Sequence, residues 1–111
     1  LYDDVLGFPA NLLHDWKICV GVEYVSELYD ASLKLKHRWE NIIIPAHETV
    51  LKPLDKKLAC DVEFSNGDIS TYNFDNADVL FANSTCFDSK LLSAIEMNIM
   101  TCKLGCILIT F

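Results

Sequence analysis

The chain has 111 residues, 51% of them hydrophobic and 23% charged, which is enough for one domain with one core and too apolar for a disordered chain. Its formal net charge of −7 argues against nucleic-acid binding by this segment; it suits a basic partner as well as plain solubility. No apolar run reaches the roughly 20 residues of a membrane-spanning helix, and no signal-peptide pattern opens the chain.

In chain order, Leu1-Tyr2 reads as the tail of a strand, and Pro9 to Asp15 as a short helix with Pro9 in its first turn. Lys17 to Tyr24 carries Ile18, Cys19, Val20 and Val22 almost unbroken, the pattern of a parallel strand buried on both faces. Ser26 then reads as a helix N-cap, with Glu27 and Asp30 in the first turn. Val25, Leu28, Ala31, Leu35, Trp39 and Ile42 recur at threes and fours, so the helix is amphipathic and is expected to end before Pro45. Ala46 to Leu58 shows no period and reads as a loop. Cys60 to Ser65 alternates as a strand closed by an Asn66-Gly67 turn. Asp78 to Ala82 is a further short strand, Asp88 caps a helix with Leu91, Leu92 and Ile95 on one face, and Gly105 interrupts before a last strand, Cys106 to Phe111.

Strands alternating with helices predict one α/β domain over residues 1–111, a mostly parallel open sheet with helices on both faces. Such sheets bind ligands beyond the carboxyl ends of their strands. Three residues stand there. Glu23 can accept both hydroxyls of a ribose, and a surface Glu before a helix fits equally. Asp68, after Gly67, can accept an adenine amino group with Ile69 packed on the ring; a ligand-free turn is the alternative. Asn83 offers donor and acceptor to the reacting end of a ligand, or caps a helix, as Ser84 or Thr85 also could.

Other chemistries find less support. The five cysteines (Cys19, Cys60, Cys86, Cys102 and Cys106) are odd in number and mostly apolar in setting, which predicts reduced thiols inside a cell, in nucleus or cytoplasm. Cys102-x-x-x-Cys106 has no histidine near it, so no metal site is expected. Cys86 as a nucleophile has no visible tie to His14, His37 or His47. Asn83-Ser84-Thr85 is formally a glycosylation sequon, discounted because it follows a strand directly.

The segments Leu12-Leu13-His14-Asp15-Trp16, Gly21-Val22-Glu23, Glu27-Leu28-Tyr29 and Leu33-Lys34-Leu35 resemble the Dot-type (disruptor of telomeric silencing) non-SET histone lysine methyltransferases. Asn76 through Phe87 is similar to that family's fourth-strand signature, and Lys103-Leu104-Gly105 to its Lys-x-Gly turn. The resemblance implies a Rossmann-like class I methyltransferase fold with S-adenosylmethionine as methyl donor. It implies cofactor contacts from Asp3 at the first strand end, Glu23 on ribose, Asp68 and Ile69 on adenine, and Asn83 near the donor's amino-acid end. It names no catalytic base, and it implies a basic protein substrate such as a histone.

The chain departs from the family at three points. Ile69 stands where the family has an aromatic, and Ser84 where histone enzymes have a second Asn. The family's Asp-x-Gly-x-Gly-x-Gly loop is missing between Asp3 and Asp4, by about six residues on a glycine-to-acid spacing of about 20. Either the loop is deleted or the sequence is less than the whole protein. The junction without turn residues favours the second. A true deletion implies a catalytically inactive binding or scaffold module. A dinucleotide dehydrogenase domain also places an acid after its second strand, but the Asn83-Ser84-Thr85-Cys86-Phe87 segment argues against it.

Overall fold

A computed structural model describes residues 14–46 and 61–110. The expected first strand, the helix beginning at Pro9, Asp3 with the gap beside it, and nearly all of the Ala46–Leu58 loop lie outside the described residues. The chain divides into two compact units, Leu1–Asn66 and Gly67–Phe111.

In the first unit, β1 (Ile18–Glu23) pairs in parallel with β2 (Asp61–Asn66), from Ile18 opposite Asp61 to Glu23 opposite Asn66. Val62 is buried, and its partner Cys19 is half-buried. Ile18 and Val20, on the opposite face of β1, are 46% and 45% exposed. The expectation of burial on both faces is not met at Ile18 and Val20: in a strand successive side chains point to opposite faces, and theirs is the less covered one among the described residues, with Val22 half-buried at its end.

Helix α1 (Ser26–Arg38) packs mainly on β2. Its N-cap is Val25, which makes no side-chain cap bond, so Ser26 is the first helical residue and not the cap expected. The cap is supplied from outside the helix, by the Glu23 carboxylate accepting the Val25 N–H at 2.7 Å. Glu27 in the first turn and Lys36, His37 and Arg38 in the last oppose the helix dipole favourably.

The buried line of α1 runs through Leu28, Tyr29 and Ser32, about one residue away from the predicted stripe. Ser32 is 1% exposed, while Ala31 and Leu35 face solvent. A small side chain lets the helix lie close to the sheet. The Ser32 hydroxyl is satisfied by donating to Tyr29 O at 2.7 Å within its own helix, which removes the cost of burying it.

The helical path does not end before Pro45. It widens into a π-helical turn over Trp39–Ile43 and returns to α geometry over residues 44–46. Ile44 N–H donates to Trp39 O, five residues back. Two causes act together. Asn41 Nδ2 donates to His37 O at 2.8 Å, competing for a carbonyl that an α-turn would give to the Asn41 N–H. A proline at 45 has no N–H for the carbonyl of residue 41, and its ring needs that turn opened. The shift in phase leaves Ile42, placed on the stripe by periodicity, 58% exposed.

In the second unit, β3 (Val79–Ala82) pairs in parallel with β4 (Ile107–Thr110), Val79 opposite Ile107 and Ala82 opposite Thr110. Helix α2 (Ser89–Ile99) lies between them in sequence. Asp88 caps it as expected, accepting Leu91 N–H at 2.8 Å, and Ile95 on its predicted face is buried. The described architecture is thus α/β, with two parallel two-stranded sheets and two α-helices among the described residues. No helix among them is long and apolar enough to cross a membrane.

Candidate functional site

Parallel pairing aligns strand ends, so the residues following them share a chemical setting. Glu23 closes β1 and is half-buried. Its Oε1 holds the Val25 N–H, and its main-chain carbonyl accepts Asn66 Nδ2 at 2.9 Å. Asn66 also reaches Tyr24 O at 3.4 Å, so one side chain at the end of β2 pins the end of β1. Asn66 was legible from sequence only as a turn residue. To accept both hydroxyls of a diol, Glu23 must share Oε1 between Val25 and the ligand, which the two lone pairs of that oxygen permit.

Asp68 lies two residues past β2 and is exposed. Its Oδ1 accepts the Ser70 N–H at 2.8 Å and the Ser70 hydroxyl at 2.7 Å. These two bonds, the hydroxyl first and the N–H second, hold the carboxyl below the usual carboxylate range against a small opposing effect of burial. Its main-chain carbonyl accepts Thr71 N and Tyr72 N, so Asp68 opens a short helical turn. That turn is anchored by Asn98 of α2, whose Nδ2 donates to Ile69 O at 3.1 Å and Tyr72 O at 2.8 Å. Asn98 is half-buried and has no counterpart in the sequence expectations. The only signal for it is a polar residue beside the apolar Ile95–Ile99 pair in a helix whose neighbours are apolar.

Asn83 follows β3 directly and is half-buried. Its Oδ1 accepts the Thr85 hydroxyl at 3.0 Å. Neither Asn83 nor Ser84 nor Thr85 caps α2; Asp88 does, so the capping alternative for Asn83 does not hold.

Glu23 belongs to the first unit, and Asp68, Ile69 and Asn83 to the second. Glu23 is the last residue of a parallel strand, Asp68, Ile69 and Asn83 come after the ends of β2 and β3, and Asp3 lies outside the described residues. Among the described residues no group of three or more His, Cys, Asp or Glu side chains is placed to hold a metal ion. No family model, curated protein or solved structure matches the chain.

Proposed function

We propose that the chain is the nucleotide-binding core of a class I S-adenosylmethionine-dependent methyltransferase, acting on an amine of a protein, a histone-type lysine. The pairing of the strands supports this most directly. In the doubly wound order 3-2-1-4-5, the second strand lies beside the third and the fourth beside the fifth. With a first strand ending at Asp3, β1 to β4 take the second to fifth places. The observed parallel pairs, β1 with β2 and β3 with β4, are the ones this order requires. The other common order, 2-1-3-4-5, does not place the second strand beside the third. On this reading the whole domain is a Rossmann-like sheet with helices on both faces.

In this assignment Glu23 takes the ribose hydroxyls, Asp68 the adenine amino group, Ile69 packs on the ring, and Asn83 and Asp3 border the rest of the donor. S-adenosylmethionine supplies the methyl group. The contribution of the chain is to position it in line with the acceptor, because proximity and orientation carry most of the rate gain in such a transfer. No general base is assigned. The net charge of −7 fits a basic protein substrate.

A second reading is a catalytically inactive methyltransferase-like binding or scaffold module. It is favoured by the capping roles of Glu23 Oε1 and Asp68 Oδ1, which engage the chain's own N–H groups, and a genuine deletion of the glycine loop would favour it further. A thermal-shift titration with S-adenosylhomocysteine tests the proposal. Ligand at a hundred times its dissociation constant adds about 2.7 kcal/mol to stability, and Glu23→Ala is expected to remove the shift. No shift at saturating ligand overturns donor binding. A shift without methylation of a lysine peptide supports the second reading.

A further inference from the structure

Asn66 is the one asparagine of the chain followed by a glycine. An Asn-Gly bond is chemically labile, because glycine has no side chain to shield its N–H from the neighbouring amide carbon. Asn66 is exposed at the end of β2 and stands opposite Glu23 in the parallel ladder. Its Nδ2 donates across to Glu23 O at 2.9 Å and to Tyr24 O at 3.4 Å. The nitrogen lost in deamidation is therefore the one that pins the end of β1.

We propose that Asn66 is a site of spontaneous deamidation, held shut by this pin and irreversible once passed. In the reaction Gly67 N attacks Asn66 Cγ. A bond forms between them, the Cγ–Nδ2 bond breaks, and Nδ2 leaves as ammonia with the proton of the Gly67 N–H. Water then opens the five-membered imide at one of its two carbonyls. Opening at Cγ gives aspartate. Opening at the main-chain carbonyl gives isoaspartate, with the main chain running through Cβ and Cγ. One water is consumed and one ammonia released. Closing the imide requires the extended backbone at Asn66 to rotate out of its pairing with Glu23, and Nδ2 to leave both carbonyls. The sheet end has to open before the chemistry begins.

Neither product restores the pin. A carboxylate has no proton to donate to Glu23 O or Tyr24 O, and it stands opposite Glu23, whose own carboxylate repels it. Both carbonyls are released beside the Val25 N–H that Glu23 Oε1 holds. Isoaspartate also lengthens the main chain by one methylene, at the bond where the first compact unit passes into the second.

The test incubates the full chain at neutral pH, folded in buffer and unfolded in urea. Asn66 is followed by peptide mapping with mass spectrometry, using fragmentation that separates aspartate from isoaspartate. Expected is conversion of Asn66 to both products in the unfolded chain, well ahead of Asn98, which precedes isoleucine. In the folded chain the conversion is expected to be about tenfold slower, because pin and ladder must open first. Gly67→Ala should slow it in urea, where folding plays no part, by crowding the attacking nitrogen. Asn66→Asp reproduces one product, and hydrogen exchange at the Val25 N–H is expected to be faster in that variant than in wild type. An unfolded chain that keeps Asn66 as long as Asn98 overturns the proposal. So do equal rates at Asn66 in folded and unfolded chains, or Val25 exchange left unchanged by Asn66→Asp.

Discussion

Replacing Asn98 by Ala removes both bonds that hold the Asp68–Tyr72 turn to α2, those to Ile69 O and Tyr72 O. Each such bond contributes about 1 kcal/mol net, so the gross loss is about 2 kcal/mol. Ala is the better helix former by about 0.5 kcal/mol, which leaves a net cost of about 1.5 kcal/mol. Urea unfolding followed by circular dichroism reads this as a midpoint lowered by about 1 M at unchanged slope, for a slope near 1.5 kcal/mol per molar. Asn98→Asp is expected to cost more at neutral pH, because it sets a carboxylate against two carbonyl oxygens. It should regain part of the loss on acidification, when the protonated carboxyl can donate one bond. A midpoint for Asn98→Ala equal to that of wild type, or an Asn98→Asp variant as stable as Asn98→Ala at neutral pH, refutes the anchoring role.

The Asp68 carboxyl, held low by Ser70, contributes stability that is present above its unfolded pKa and lost as pH falls through its lower folded pKa. Ser70→Ala is expected to raise the Asp68 pKa towards the ordinary carboxylate value, read by NMR titration of its side-chain carbon; an unmoved titration refutes the assignment. Gly105→Ala is expected to cost about 1 to 2 kcal/mol in thermal or urea unfolding, from the positive φ alone, because an added Cβ meets nothing within 4 Å. Gly105→Asn should cost less, and equal losses for the two variants contradict a backbone origin.

Much of the architecture was legible because it rests on short-range signals. Short apolar runs marked β1 and β3, and Asp88 announced α2 through the hydrogen bond it makes. The acids and amide after the strands were legible for the same reason: Glu23 and Asn83 directly abut apolar strands. The rest was decided by contacts between distant segments. The cap of α1 is an exception and local: Glu23 reaches Val25 two residues on, while the ordinary N-cap preference points to Ser26. Ser32 reads as polar in any periodic pattern, yet its angular position on α1 buries it and leaves Ala31 exposed. Asn66 and Asn98 act through carbonyls 43 and 29 positions away, which no local pattern encodes.

The π-helical turn at Trp39–Ile43 amounts to one residue more than a regular helix would use over the same rise. Everything after it is therefore rotated by one position about the helix axis relative to what precedes it. Removing one residue between Arg38 and Ile44 is expected to restore regular α geometry, with the Ile44 N–H donating four residues back in place of five. The turn stores a frameshift in three dimensions.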